Sequence, residues 1–289
     1  MKLLPGVYQA FKKDGSIYYR ASITYRNKHI SLGSYATEMI AHYAYIEATD
    51  ILVNGKFDID DYAIGSKDLY SFKNVTVNDK QFPKECYPSN RCLSFHKWVV
   101  LMNYRDNGIY FKNPIYLKNK YFEYYFDTNL VLKFDIDDLF YYSHHKIMKR
   151  GGHLFVSDYG MQVTILSRYG VKNFAVAGRD YRFVNGDNTD YRYTNIEIIN
   201  KYYGVTKLIV KGKPIYVAKI LINGDYIIGK YRSEAEAAIA YNKAAKILNN
   251  KGLKKDFQLN YVTEIDEIEY ARLFNMVKIS KKIREYTIK

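Results

Sequence analysis

Residues 6–57 and 204–257 carry one pattern twice, and this repeat limits the possible folds more than any other feature. Gly6-Val7, Ala21-x-Ile23, Gly33-x-Tyr35, Tyr45 and Phe57 return as Gly204-Val205, Ala218-x-Ile220, Gly229-x-Tyr231, Tyr241 and Phe257 at near-constant spacing. An internal duplication is the simplest explanation. In the first copy Gly6 to Lys13 alternates weakly, and Asp14-Gly15 is a hairpin signal. Ile17 to Tyr25 reads as a strand, with Ala21 and Ile23 on one face and Arg20, Ser22 and Thr24 on the other. Arg26-Asn27-Lys28 makes a turn, and His29 to Leu32 is a third strand. Thr37 caps a helix to about Val53, whose core face is Ile40, Ala41, Ala44, Ala48 and Ile51. In the second copy Asn223-Gly224 is a turn, Ser233-x-x-Glu236 is a capping box, and AEAAIAYNKAAKIL is a helix.

The three-strand-plus-helix pattern resembles the Apetala/ethylene-response-factor type of DNA-binding domain. The residues that carry it are Gly6-Val7, Ala21-x-Ile23, Leu32-Gly33-x-Tyr35, Thr37-Glu38 and Ala41-x-x-Ala44-Tyr45, over about fifty residues. The resemblance implies that the open sheet face enters the major groove, which admits a β surface. Tyr8, Ser22, Thr24, His29 and Ser31 match the family's contact positions. Lys12, Lys13, Arg20, Arg26 and Lys28 add charge that reaches phosphate. The family usually has Arg and Trp where this chain has Tyr, Ser and Thr. In the second copy the matching positions are Thr206, Leu208, Val210, Lys219, Leu221, Asp225 and Ile227. That face is mostly apolar, which suits docking on protein; Lys207, Lys211, Lys213 and Lys219 keep DNA contact open.

Between the copies, Phe134-Asp135-Ile136-Asp137-Asp138-Leu139, a strand after Gly152, and Leu166-x-Arg168 precede Phe183-Val184-Asn185-Gly186-Asp187, Asp190-Tyr191-Arg192 and Asn195-Ile196-Glu197. The order resembles the ββα-metal core of phage-type HNH homing endonucleases, which often carry an Apetala-type domain next. Such enzymes need a histidine base and a metal ligand. Ser167, Arg182 and Phe183 stand at the matching places, and Tyr191 replaces a usual Asn. Phenylalanine takes no proton, and an arginine repels a divalent cation. Asp180, Tyr181, His153 and Asn195 are the remaining catalytic candidates, and no metal-ligand set is assigned. Asn185-Gly186, Asp190-x-Arg192 and Asn195 are expected to shape a turn and a helix start, with Arg179, Arg182 and Arg192 as phosphate contacts.

A formal charge of +14 and 32 tyrosines suit a polyanionic partner, nucleic acid before a membrane surface. Two cysteines, Cys86 and Cys92, match no zinc motif and suit reduced thiols inside a cell. No apolar run approaches the ~20 residues of a membrane span. The connector is punctuated by Phe82-Pro83 and Tyr87-Pro88. CLSFHKWVVLMNY reads as helix or buried strand, with Trp98 in a core, and Asn107-Gly108 reads as a hairpin turn. Thr263, with Asp266 three residues on, starts a C-terminal helix running past Lys278, Lys281, Lys282 and Arg284.

The expected architecture is α+β: Apetala-type modules at 1–62 and 200–262, a connector at 63–120, a degenerate HNH-like core at 121–199, and a C-terminal helix at 263–289. The expected function is non-catalytic double-stranded DNA binding, in a regulatory, packaging or architectural role. Two alternatives stay open: an active nicking endonuclease using magnesium or manganese, and a viral structural or interaction protein that no longer binds DNA. No cofactor is otherwise expected. The partners would be duplex DNA and, through the second module or the C-terminal helix, protein or a second copy, with no membrane. The resemblance implies a phage- or virus-infected cell, or the virion.

Overall fold

The computed structural model describes residues 3–62 and 91–287. The Pro83 and Pro88 punctuation and Cys86 lie outside the described residues. The fold is α+β, built on small three-stranded sheets. The chain divides into two compact units, Met1–Gln162 with Thr189–Arg192, and Val163–Asn188 with Tyr193–Lys289. Residues 121–199, expected as one core, are therefore shared between two units.

The first unit opens with β1 (Val7–Phe11), β2 (Ile17–Tyr25) and β3 (Lys28–Tyr35), paired antiparallel in that order. Their buried face, Val7, Ala21, Ile23, Ile30 and Leu32, meets α1 (Glu38–Leu52). Thr37 caps α1, its hydroxyl accepting from the Ile40 N–H. Ala41, Ala44 and Ala48 are fully buried, so small side chains let the helix lie close to the sheet.

The ambiguous connector segment is a helix, α2 (Phe95–Asn107). Gly108, at φ 73°, closes it, so Asn107-Gly108 is a helix end and not the expected hairpin. A left-handed glycine suits either role; Trp98, Leu101 and Met102, spaced for one helical face and fully buried in the module's core, decide for the helix. Glu47 of α1 holds the start of this segment, accepting from the backbone N–H of Leu93 (2.8 Å) and Cys92 (3.0 Å).

A meander follows: β4 (Ile115–Leu117), β5 (Tyr121–Asp127) and β6 (Leu130–Asp135). Residues 189–192 run beside β6, where the Lys133 N–H donates to Thr189 O and its carbonyl accepts from the Tyr191 N–H. Next come α3 (Leu139–His144), then β7 (Ile147–Arg150), β8 (His153–Asp158) and β9 (Met161–Thr164) in one sheet. His144 and His145 end α3 and do not alternate along a strand.

In the second unit β10 (Tyr181–Phe183) pairs with β11 (Ile196–Ile198). The expected helix start after Asn195 is corrected: the chain continues as strand β11. Pairing with β10 in full register outweighs the turn signals. Then β12 (Val205–Val210), β13 (Lys213–Leu221), β14 (Asp225–Tyr231) and α4 (Glu234–Asn250) rebuild the first module. The repetition reaches backbone detail. Val7 faces Ala21 as Val205 faces Ala218, and one residue is skipped after Ala21 and again after Ala218. The Ser22 N–H donates to Gly6 O, and the Lys219 N–H to Gly204 O.

The C-terminal helix comes in two pieces, α5 (Glu267–Met276) and α6 (Lys281–Arg284). Asp266, not Thr263, caps α5. The break arises because Ser280 bonds to β14, its N–H donating to Ile228 O and its hydroxyl to Ile227 O. α4 holds this region through Asn242, which exchanges both amide bonds with the Asn260 backbone and donates to the Tyr270 hydroxyl.

Gly6 sits at φ 76°, and an added Cβ would lie 2.1 Å from the Tyr45 ring. Gly6→Ala should therefore cost roughly 2–4 kcal/mol in urea unfolding. Gly15→Ala, with nothing near its Cβ, should cost only the backbone share, about 1 kcal/mol.

Burial pushes the Glu47 carboxyl up from 4.5 to about 7, against its two N–H bonds and the Arg91 charge. The folded state then keeps a proton that the unfolded chain releases. Stability from this group is complete below pH 4.5 and is lost as pH rises through 7. Glu47→Gln should remove that slope, so its Tm relative to the parent should climb between those two pH values.

Candidate nucleic-acid interface

Antiparallel pairing sets which side chains share a face, since directly opposed residues project together. On the first module's sheet, Tyr8, Arg20 and Ser34 form one row, Ser22 and Ser31 a second, Thr24 and His29 a third. All lie opposite the face that packs on α1. Tyr8, Arg20, Thr24, His29 and Ser31 are exposed, but Ser22 is 8% exposed, because it is a small residue in the central strand. The structure thus gathers the expected contact residues on one surface and recesses Ser22 within it.

Charge is segregated in the same module. Five of the six Lys and Arg of residues 3–62 lie between 12 and 28, and six of the seven Asp and Glu lie between 38 and 61. Cations therefore go to the sheet and anions to the helix and its exit. Three cations also have packing roles. Arg20 donates to the Tyr18 hydroxyl at 2.6 Å. Arg26 lies over the Tyr25 ring and reaches Tyr104 O; Lys28 lies over the Tyr110 ring. Lys12 and Lys13 line a cleft of about 550 Å³ with Phe11, Ile17, Tyr18 and Tyr35. Sequence reasoning missed Phe11 and Ile17; the weak alternation of β1 hides that they face each other at the hairpin end.

The second module carries much more positive charge, with 12 Lys and Arg against 4 Asp and Glu in residues 200–262. Lys207, Lys211, Lys213 and Lys219 are exposed and form no ion pair among the described residues. Its helix lysines are used internally: Lys243 donates to Asn275 and Val277 carbonyls, and Lys255 to Leu221 and Ile222 carbonyls. The open face pairs Leu208 with Ile215, Lys219 with Ile227, and Leu221 with Asp225. Leu208, Val210, Leu221 and Ile227 are about half exposed there.

The HNH-like residues have structural partners. Asp180 is buried, accepting from the Arg179 guanidinium at 2.6 Å, the Val176 N–H at 2.9 Å and the Asn200 amide. Burial acts to raise its carboxyl, but those donors outweigh it and hold it below 3.8. Tyr181 is buried, which pushes its hydroxyl upward, and packs edge-on to Phe183. Asn195 is buried and closes the Asn-Gly loop: its Oδ1 accepts from the Asn185 N–H and its Nδ2 donates to Asp187 O. Ser167 donates to Thr164 O at 2.6 Å. His153 is exposed opposite Arg150.

The three candidate phosphate-binding arginines are each paired with a carboxylate at 2.6 Å: Arg179 with Asp180, Arg182 with Glu197, Arg192 with Asp190. A phosphate there would have to share them. His145 approaches Asp158 at 3.5 Å, and Tyr141 donates to the same carboxylate. Among the described residues no group of three His, Cys, Asp or Glu side chains is placed to hold a metal ion, and no helix is long and apolar enough to cross a membrane. No protein-family profile, curated protein or solved structure matches the chain.

Asn195→Ala should cost about 2 kcal/mol, since it leaves a buried N–H unpaired. Limited proteolysis should then cut between Asn185 and Thr189 faster than in the parent.

Proposed function

We propose that this chain is a non-catalytic double-stranded DNA-binding protein, a homing-endonuclease relative serving a regulatory, packaging or architectural role. The observation that carries the reading is the first module's sheet face. It offers Tyr8, Arg20, Thr24, His29 and Ser31 together, on the side where that module's cations collect. Hydroxyls and an imidazole reach base edges, while Lys12, Lys13, Arg26 and Lys28 neutralise phosphates. Arg20, Arg26 and Lys28 are held by aromatic neighbours, so they lose less freedom on binding. In the HNH-like segment Asp180 and Asn195 hold the loop, and Arg182 and Phe183 occupy the positions of base and ligand. Their chemistry supports a scaffold more than a nuclease.

A second reading, a protein partner or self-association through the second module, is favoured by its half-exposed Leu208, Val210, Leu221 and Ile227.

One titration separates the two. Binding to duplex DNA should weaken steeply with salt. Lys12→Ala/Lys13→Ala/Arg20→Ala should lower the slope of log K against log salt by about 0.9 for each phosphate that the variant leaves unneutralised. Supercoiled plasmid with magnesium or manganese should stay intact. Charge reversal at Lys207, Lys211, Lys213 and Lys219 that leaves affinity and slope unchanged would assign the second module to protein docking. Nicking abolished by Asp180→Asn would overturn the non-catalytic reading.

A further inference from the structure

A second basic element lies outside both modules, in residues 143–153, SHHKIMKRGGH. This stretch holds Lys146, Lys149 and Arg150, three of the chain's six histidines, and no carboxylate. It forms the hairpin of β7 and β8, with Ile147 opposite Val156 and Arg150 opposite His153. The root is fixed: Ile147 and Val156 are each 1% exposed, and the Ile147 N–H donates to the buried Tyr124 hydroxyl at 3.1 Å. The tip is open. Gly151 and Gly152 make the turn at φ 56° and 84°, and a Cβ on either would meet nothing within 4 Å. Two positive φ values suit the tight turn whose twist matches a hairpin.

Lys146, Lys149, Arg150 and His153 are exposed and form no ion pair or hydrogen bond among the described residues. Asp158, the nearest carboxylate after them in the sequence, is engaged by His145 and Tyr141 at the other end of β8. Charged edge strands commonly serve only to block aggregation. Here the charge is of one sign and gathers at the protruding turn, Lys149 and Arg150 before it and His153 after it. A two-stranded ribbon about 5 Å across its backbones fits a major groove about 12 Å wide. Glycines at the tip let backbone N–H groups approach phosphate closely.

We infer that the β7–β8 hairpin tip is a separate duplex-DNA contact, with Lys149, Arg150 and His153 on phosphates and the Gly151-Gly152 backbone against the strand. This rests on the DNA-binding reading above and adds a contact that the two modules do not supply.

The test uses the full chain and a labelled duplex, with anisotropy titrations at about 50, 100 and 200 mM NaCl. Lys149→Ala/Arg150→Ala is compared with the parent and with Lys278→Ala/Lys282→Ala, which removes equal charge elsewhere. Both hairpin residues are exposed, and unchanged thermal melts would show that folding is intact. The expected result is a slope lower by about 1–2 and affinity about tenfold weaker for the hairpin variant alone. Equal weakening in both variants, or none in the hairpin variant while the parent binds, would make the hairpin a solvated edge. Tighter binding to duplex RNA or to anionic vesicles would overturn the choice of partner. A parent that binds no DNA at the lowest salt would overturn the functional reading itself, and the hairpin contact with it.

Discussion

Each module depends on one close approach between a helix and the entry to its sheet. At Gly6 an added Cβ would stand 2.1 Å from the Tyr45 ring, and at Gly204 it would stand 2.6 Å from Tyr241. Both glycines also hold positive φ, where side chains are disfavoured. The ring covers the glycine, the glycine carbonyl accepts from the central strand, and the alanine face of the helix settles on the sheet. The duplication preserved this arrangement while nearly everything facing solvent changed.

That divergence shapes the functional picture. Opposite a constant core, one sheet presents Tyr8, Arg20, Thr24, His29 and Ser31, and the other Leu208, Leu221 and Ile227 among lysines. The outer sides of the helices are also covered differently. α1 receives the connector through a buried carboxylate, Glu47, and α4 receives the C-terminal segment through a neutral amide, Asn242. A buried carboxylate links docking to pH; an amide does not.

Much of the HNH-like stretch was legible as geometry. The Asn-Gly turn is where the residue order placed it, and Asn195 closes that loop. What came next was not legible. The turn signals after Asp190 suit a helix start, and pairing with β10 made a strand instead. Asp180 was a catalytic candidate by type and position, yet its carboxylate is taken by Arg179, Val176 and Asn200. Asn107-Gly108 misled for a similar reason, since a left-handed glycine ends a helix as readily as it turns a hairpin.

The sequence by itself determined the repeat, its strands and helices, its caps, and the sharing of cations and anions between sheet and helix. These depend on backbone sterics and on residues within a turn or two of each other, so the order of residues reveals them. Tertiary structure decided which charges stay available. Arg26 meets Tyr104, 78 residues away, while Arg182 meets Glu197 and Lys255 meets the carbonyls of Leu221 and Ile222. Lys149 and Arg150 are left unpaired at a glycine tip. Distance in space governs an electrostatic contact, and only the folded chain sets that distance.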